Sequence, residues 1–252
     1  MNVLFVPTLG LDLSLLERLA NSVDYAIHAK CAFNNGEPGA LDSFKDAHPD
    51  WIVKESAWGN RGVAGSWNEC AKLFPEEASW LIMNDDAWFL PGYLEKICKT
   101  AREHEQTHLI HLNNSNAYYC FVWTQTGRKT FGEFDENLWP AYYEDRDMLV
   151  RHKLMGYTGY VYALQGLEPL PHGKPRTGGV NYNAMLQGCG LLNRAYWLRK
   201  WGNQDFTTST YETPYKDHRL SVDQWAWYPE GRAIRKEIYD AWLSLPNPSI
   251  YD

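Results

Sequence analysis

The sequence predicts an α/β protein whose sheet is mixed, mainly parallel and flanked by helices. Three observations lead to this prediction. Short, continuous apolar runs such as 2–7 and 80–83 are typical of strands buried on both faces of a sheet. Segments with apolar residues at helical spacing follow these runs. Strands that alternate with helices along a chain favour parallel pairing through right-handed crossovers.

The elements follow one another without internal repeats or a clear linker, so we expect one domain. In chain order we predict strands at 2–7, 24–32, 51–53, 79–83, 109–112, 117–124 and 157–164. We predict helices that begin near residues 12, 42, 63 and 91, and helices over 195–201 and 233–245. Residues 165–183 are rich in Gly and Pro, which predicts a loop.

Local residues justify several of these elements. Asp12 or Ser14 is a candidate N-cap for the first helix, and Pro91 suits the first turn of another. The apolar face of that later helix comprises Leu94, Ile97, Cys98 and Ala101. The aromatic-rich strand at 117–124 suits a sheet edge or a hairpin.

Composition narrows the functional classes. The chain has 252 residues, of which 44% are hydrophobic and 22% charged, as in a folded globular protein. Its net charge of −7 disfavours a general affinity for nucleic acid. The five cysteines are scattered without C-x-x-C spacing, which predicts reduced thiols. Neither a leader-like segment nor an apolar run of about 20 residues is present, so we expect a cytoplasmic protein without a transmembrane segment.

Asn84, Asp85 and Asp86 come directly after the apolar run at 80–83. Carboxylates at the end of a buried strand are costly unless a positive group balances them, and ligands bind at this edge of open α/β sheets. Two interpretations remain open. The acidic residues belong to an ordinary turn before the next helix, or their oxygens hold Mg²⁺ or Mn²⁺, which in turn binds a diphosphate.

A second acidic cluster begins at Glu144 and Asp145. The helix dipole favours acidic residues in a first turn, so a plain helix start explains them as well as catalysis does. Adjacent helical residues point about 100° apart, so both cannot face one substrate atom. If one is a catalytic base, the other anchors the helix or binds a hydroxyl. His172 lies in a loop, where it is either a surface residue or a metal ligand near Asp86.

Four ordered motifs carry a resemblance to a known family. They are Val6-Pro7-Thr8, Asn60-x-Gly62-x-Ala64-x-x-x-Asn68, Asn84-Asp85-Asp86, and Phe134-Asp135-Glu136 leading to Tyr143-Glu144-Asp145-x-Asp147. In this order and spacing they resemble the GT-A fold glycosyltransferases of the large family 2. A further segment at 196–202 is similar to one that follows the catalytic core in some members. The resemblance covers most of residues 1 to about 202.

The resemblance implies a GT-A (Rossmann-like) fold with a helical and loop C-terminal extension, in one domain over residues 1–252. Within it, residues 1–112 would bind the nucleotide sugar and residues 113–252 the acceptor. The implied donor is a UDP-, GDP- or dTDP-sugar, and the implied acceptor is a glycan or glycoconjugate. Mn²⁺ or Mg²⁺ would be the cofactor of an inverting transfer.

The same resemblance implies roles for individual residues. Asp145 would be the general base, with Glu144 beside it in the catalytic site. Asp86 and His172 would bind the metal, and Asp85 would contact the ribose or the sugar. The full set of implied donor-binding residues is Pro7, Thr8, Leu9, Asn60, Arg61, Gly62, Ser66, Asn84 and Asp85.

Two alternatives stay open. One is a transferase that glycosylates modified DNA bases through a basic groove made of Arg146, Arg151, Lys153, Arg194, Arg199 and Lys200. The other is a catalytically inactive carbohydrate-binding protein of the same fold. For the acceptor side, tryptophans are candidates for a wall or for the core: Trp197, Trp201, Trp225 and Trp227.

Overall fold

The computed structural model describes residues 3–57, 59–104, 109–111, 118–154, 161–163, 170–171 and 180–201. Its strands are β1 (Val3–Thr8), β2 (Ala29–Asn34), β3 (Ile52–Glu55), β4 (Ser79–Met83), β5 (Leu109–His111), β6 (Cys120–Thr124) and β7 (Val161–Ala163). Its helices are α1 (Leu13–Asn21), α2 (Asp42–Ala47), α3 (Gly62–Leu73), α4 (Tyr93–Glu103), α5 (Gln125–Phe131), α6 (Glu144–Leu154) and α7 (Val180–Trp201).

The seven strands form one mixed sheet in the order β3-β2-β1-β4-β6-β5-β7. All neighbouring pairs are parallel except β4–β6 and β5–β6, which are antiparallel. Strand β1 lies between β2 and β4, so the order of the chain reverses direction at this point of the sheet. The prediction of a mixed, mainly parallel sheet flanked by helices is confirmed.

The central strands are buried because their sequences are apolar throughout. All five residues of β4 and all five of β6 are buried. Pro7 is tolerated in β1 because the pairing of β1 with β4 covers only Val3 to Phe5. The missing N–H of the proline therefore does not interrupt that ladder. We expected β6 at an edge or in a hairpin; it forms a hairpin with β5, but the edge position is wrong, because β4 covers its other side.

Two helix starts show how local chemistry fixes the boundaries. Asp12 caps α1 by accepting a hydrogen bond from Ser14 N at 3.0 Å, which settles the choice between the two candidate caps. The sequence predicted Pro91 in the first turn of α4, and this prediction is wrong. Instead Tyr93 N donates to Leu90 O at 3.0 Å, and Gly92 has φ 76° and ψ −3°. Pro followed by a left-handed Gly is the signature of a type II turn, which delays the helix to Tyr93.

Two other boundaries differ from the prediction. Strand β2 begins at Ala29 rather than at residue 24. The Asp24 carboxylate accepts a hydrogen bond from Gly92 N at 2.6 Å, so this residue serves the turn before α4. Helix α7 begins at Val180, inside the predicted loop. The predicted helix at 233–245 lies outside the described residues.

The chain divides into two compact units. The first comprises residues 1–60, 66–130 and 159–173, and contains the whole sheet. The second comprises residues 61–65, 131–158 and 174–252, and contains α6 and α7. These units do not divide the chain at residue 112, and the functional division into 1–112 and 113–252 stays a prediction.

Each unit has its own apolar core. In the first unit, residues such as Leu4, Leu81 and Leu94 bring β1, β4 and α4 into one buried cluster. In the second, the core is made of Leu138, Val150, Tyr196, Trp197 and Trp201. All five cysteines are buried free thiols, as predicted. Among the described helices, none has the length and hydropathy needed to cross a bilayer; the cytoplasmic location stays a prediction.

Candidate functional site

The carboxyl ends of β1 and β4 bring two predicted site residues together in the first unit. Thr8 ends β1, and Asp85 follows β4 by two positions. Thr8 Oγ1 donates to Asp85 Oδ2 at 2.6 Å, and Gly10 N donates to Thr8 Oγ1 at 3.0 Å. Because the strand order reverses here, this is the edge at which open α/β sheets bind ligands. The hydrogen-bonded pair lies 77 residues apart in the sequence.

The turn after β4 presents the three polar residues of the predicted motif. Asn84 N donates to Tyr119 O at 2.8 Å, and Ala87 N donates to Asn84 O at 3.3 Å. Asn84, Asp85 and Asp86 are each partly exposed. The three residues therefore form a turn, as one of the two interpretations predicted. The carboxylates of Asp85 and Asp86 are partly exposed at this edge of the sheet.

The loops after β1 and β2 are packed closely against each other. A side-chain carbon at Gly36 would stand 2.1 Å from Leu9 O, so only glycine fits at this position. Asn35 N donates to Thr8 O at 2.8 Å, and Asn35 Nδ2 donates to Asn60 Oδ1 at 3.0 Å. Predicted donor-binding residues Leu9 and Asn60 thus belong to the same polar edge as Thr8.

Glu55 is a residue at this edge that the sequence analysis missed. It ends β3, and its Oε1 accepts a hydrogen bond from Gly39 N at 2.8 Å and a longer one from Asn34 Nδ2 at 3.4 Å. The feature of the sequence that could have revealed Glu55 is an acidic residue at the end of a short strand. Its carboxylate ties the ends of β2 and β3 together.

The remaining predicted donor-binding residues have other surroundings. Arg61 Nη2 forms an ion pair with Glu136 Oε2 at 2.9 Å within the second unit. Gly62 lies against the backbone of Pro140, which accepts a hydrogen bond from Val63 N at 2.8 Å. Ser66 is buried. Donor binding by these three residues stays a prediction.

Glu144 and Asp145 begin α6 in the second unit. Glu144 is buried, and no group among the described residues hydrogen-bonds its Oε2. Burial, and then the charge of Asp145, raise the pKa of Glu144 to about 8. Asp145 is partly exposed, and its Oδ1 accepts a hydrogen bond from Arg146 N at 2.7 Å. Burial raises the pKa of Asp145, whereas this hydrogen bond and the charge of Arg146 oppose the rise.

Since Glu144 is protonated below pH 8, the two neighbouring acids carry one negative charge at neutral pH. The partial exposure of Asp145 and the hydrogen bond from Arg146 N favour its charged form. The environment therefore separates the two carboxyl groups into a neutral hydrogen-bonding group and an anionic one, which is the pattern expected of an acid and a base with different tasks.

A buried network of ion pairs connects α6 to α7 and to the loop that precedes α6. Lys200 Nζ lies 2.8 Å from Asp135 Oδ2 and 2.6 Å from Asp147 Oδ1, and none of the three side chains is more than 1% exposed. Arg151 Nη2 pairs with Asp147 Oδ2 at 2.5 Å. Burial would raise the pKa of Asp135, but the charge and hydrogen bond of Lys200, the charge of Arg151 and the hydrogen bond from Tyr196 together hold this pKa below its ordinary value. The two acids and two bases balance in charge.

This network corrects two predictions. Arg151 and Lys200 were candidates for a basic groove, but both are buried in ion pairs and cannot line a surface. Trp197 and Trp201 are also buried, each only 2% exposed, so they belong to the core of the second unit and not to an acceptor wall. Of the other groove residues, Arg146 and Arg194 are exposed.

Several predicted residues lie outside the described part of the chain. They are His172, Trp225 and Trp227, and the side chains of Lys153 and Arg199. Within the described residues, no three His, Cys, Asp or Glu side chains gather into a cluster that could hold a metal ion.

The sheet order and the polar edge at β1 and β4 give the chain the GT-A fold of glycosyltransferases. A mannosyltransferase from Pyrobaculum calidifontis, solved with GDP-Man and Mn²⁺, matches with a TM-score of 0.56 and 13% identity, over 97% of this chain and 75% of that one. Glucosyl-3-phosphoglycerate synthase from Mycobacterium tuberculosis, solved with Mn²⁺, UDP and glucosyl-3-phosphoglycerate, matches with a TM-score of 0.56 and 12% identity, over 81% of both chains. At these identities the likeness establishes the fold.

Sequence comparison gives a more limited match. A galactofuranosyl glycosyltransferase from Leishmania donovani is 26% identical over 132 residues. The match covers 51% of this chain and only 27% of that protein, so the chain spans about a quarter of its relative. No protein-family model matches the sequence.

Proposed function

We propose that the protein is an inverting, metal-dependent glycosyltransferase. It moves a sugar from a nucleotide-diphosphate donor to a hydroxyl of a glycan or glycoconjugate. The observation that carries the proposal is the hydrogen bond between Thr8 and Asp85 at the reversal point of a GT-A sheet. Structural neighbours with this fold include enzymes solved with GDP-Man or UDP together with Mn²⁺.

The acidic turn after β4 suits a hard divalent cation. Such ions prefer carboxylate oxygens, and on a diphosphate they need only one or two protein ligands because phosphate oxygens and water complete the shell. Asp86 would hold the ion with His172, while Asp85, anchored by Thr8, would contact the donor sugar or ribose. When bound, Mn²⁺ or Mg²⁺ neutralises charge on the leaving diphosphate.

Asp145 would act as the general base. Its carboxylate takes the proton of the acceptor hydroxyl while the hydroxyl oxygen bonds to the anomeric carbon. The bond from that carbon to the diphosphate breaks, and the nucleoside diphosphate leaves with the bonding electrons. Attack from the face opposite the leaving group inverts the configuration. A raised pKa makes Asp145 a stronger base than an ordinary aspartate.

Donor binding with and without metal tests the first half of the proposal. Calorimetry of the wild type with UDP-glucose, UDP-GlcNAc and GDP-mannose should detect binding of one donor that strengthens with Mn²⁺. Asp86→Ala should lose the metal dependence because a ligand is removed. Asp46→Ala is the matched control, since it removes an exposed acid from α2 of the same unit. Equal metal dependence in Asp86→Ala and the wild type would refute the metal site.

Turnover tests the second half. Asp145→Asn should bind the donor like the wild type and lose transfer by a factor on the order of 10² to 10⁴, the usual contribution of a general base. Unchanged turnover would remove Asp145 from the mechanism. A protein that binds saccharides but never cleaves a nucleotide sugar would instead be the inactive carbohydrate-binding alternative. The alternative of a transferase acting on DNA bases is weakened, because Arg151 and Lys200 are buried in ion pairs and cannot line its basic groove. A gel shift of duplex DNA that weakens steeply with added salt would support this alternative again.

A further inference from the structure

Tyr142 is a half-exposed aromatic residue two positions before Glu144. Its exposed fraction is 50%, although large aromatic side chains are usually more buried. Its φ is 77°, and so is that of Tyr143. Bulky residues rarely adopt this left-handed conformation, and they keep it only where the surroundings enforce it. The chain therefore holds this ring in a costly conformation immediately before the acidic pair.

Helix α7 enforces the conformation. Asn193 Nδ2 donates to Ala141 O at 2.8 Å and to Tyr142 O at 3.1 Å, which fixes the backbone on both sides of the strained residue. The ring lies against Gly190, where an added side-chain carbon would stand 3.4 Å from Tyr142 Cδ2. Gly190 therefore brings α7 to within van der Waals distance of the tyrosine ring.

The two tyrosines have different surroundings. Tyr143 packs against the Trp197 ring, with centroids 5.7 Å apart, and Arg146 lies 5.1 Å above its ring. Tyr143 thus joins the core of the second unit. Tyr142 makes no such ring contact with the described residues, and its hydroxyl makes no hydrogen bond with them. The strained turn therefore sends one ring into the core and leaves the other available on the surface.

Glu144 provides an independent observation at the same place. Its side chain is more than nine-tenths buried, and its Oε2 has no hydrogen-bond partner among the described residues. Buried polar atoms in native proteins are nearly always paired, so this oxygen is suited to a ligand. Tyr142 and Glu144 are separated in the chain by Tyr143 alone, at the turn that leads into α6. Burial, and then the charge of Glu144, raise the pKa of Tyr142.

We propose that Tyr142 and Glu144 form the subsite for an accepting sugar ring. The ring of Tyr142 stacks on the apolar C–H face of the sugar, and Glu144 Oε2 hydrogen-bonds one of its hydroxyls. The inference rests on the proposed function, because the acceptor must place its reacting hydroxyl at Asp145, the next residue. It names the acceptor class as a carbohydrate. An aromatic wall with one convergent polar group is the usual composition of small-ligand sites.

Saturation-transfer NMR tests the subsite without turnover. The probes are methyl β-D-glucopyranoside, methyl β-D-galactopyranoside and methyl α-D-mannopyranoside. The wild type should bind at least one, with the strongest signals from C–H protons on one face of the ring. Tyr142→Ala should bind it at least about tenfold more weakly, which corresponds to about 1.4 kcal/mol. Tyr142→Phe keeps the ring and should restore most of the affinity, because the hydroxyl has no described hydrogen-bond partner.

Controls separate this result from folding and from the proposed function. Ile52→Ala removes another exposed apolar side chain, from β3 of the first unit, and should bind the glycosides like the wild type. Tyr142→Ala should keep the wild-type unfolding midpoint and the wild-type affinity for the nucleotide sugar. Equal glycoside affinity in Tyr142→Ala and the wild type, or no binding of any probe to the wild type, would overturn the subsite. Absence of metal-dependent binding of a nucleotide sugar in the wild type would instead count against the proposed function.

Discussion

Glu144 and Asp145 are neighbours in the sequence but differ in their surroundings. Glu144 is buried without a described partner for Oε2, whereas Asp145 is partly exposed and accepts a hydrogen bond from Arg146 N. The sequence predicted that the two side chains would have separate roles, because adjacent helical residues diverge. It could not predict which would be neutral, since this depends on burial by residues far along the chain.

The pH dependence of catalysis should reveal this division. Above pH 8 Glu144 ionises, loses the proton it can donate and places a second negative charge beside Asp145. We therefore expect kcat/KM to fall above about pH 8. In Glu144→Gln this alkaline fall should disappear, because the amide stays neutral at every pH. The acid limb should remain in the variant and lie above the ordinary aspartate pKa, since the pKa of Asp145 is raised.

Steady-state rates from pH 5 to 10 would check this prediction. An alkaline limb that is the same in the wild type and in Glu144→Gln would assign the limb to another group. Tyr142 is the nearby titratable group to examine next, since the charge of Glu144 raises the pKa of its hydroxyl.

At the scale of elements, buried ion pairs connect α6 to its surroundings. Asp147 of α6 binds Lys200 of α7, and Asp135 binds the same lysine from the preceding loop. Tyr196 Oη and Trp201 Nε1 add hydrogen bonds to these carboxylates at 2.7 Å each. A buried pair of this kind is not strongly stabilising in itself, but it is sensitive to the loss of one partner.

Lys200→Met should therefore destabilise the protein by about 3–5 kcal/mol, because it leaves buried carboxylates without a balancing charge. The double variant Asp135→Asn with Lys200→Met restores neutrality and should recover part of the loss. Urea denaturation of the three proteins measures the difference. Lys99→Met is the control, since Lys99 pairs with Glu95 on the exposed surface of α4, and it should cause no measurable loss.

A double variant no more stable than Lys200→Met would show that packing, and not charge balance, dominates at this place. The comparison is informative because the lysine side chain is fully buried and its replacement has a similar length.

The order of elements was largely predictable, whereas several boundaries and contacts were not. Apolar runs and helical periodicity predicted β1, β4 and α4, because the burial of each element follows from the pattern of apolar residues within its own segment. The type II turn at Pro91 and Gly92 and the interior position of β6 depend on what lies beside them. The ion network was missed for the same reason: Asp135 and Lys200 are 65 positions apart, and no local pattern joins them.

At the scale of the whole molecule, the reactivity of the cysteine thiols measures the burial of residues in both units. Cys31, Cys70, Cys98 and Cys120 belong to the first unit, and Cys189 to the second. The thiolate is the reactive form, and burial raises the pKa of Cys31 to about 12 and that of Cys98 to about 11. The native protein should therefore react very slowly with a disulfide reagent such as DTNB.

Denatured protein is the positive control, and all five thiols should react in it at once. Reaction of native protein within seconds would contradict the burial of the thiols. With increasing denaturant, mass spectrometry of labelled peptides distinguishes Cys189 from the other four. Labelling of Cys189 at a lower denaturant concentration would show that the second unit opens before the first.

The reversed strand β6 also determines which fragments of the protein can be produced. Strand β4 is apolar throughout and pairs with β6 along its entire length, from Ser79 to Met83. A fragment that ends at residue 112 lacks β6 and would present β4 as an unprotected edge, which promotes aggregation. Recombinant expression should give insoluble material for residues 1–112, even though this segment contains every strand of the parallel half of the sheet. The edge proposed to bind the donor therefore needs a strand from beyond that boundary in order to be stable in solution.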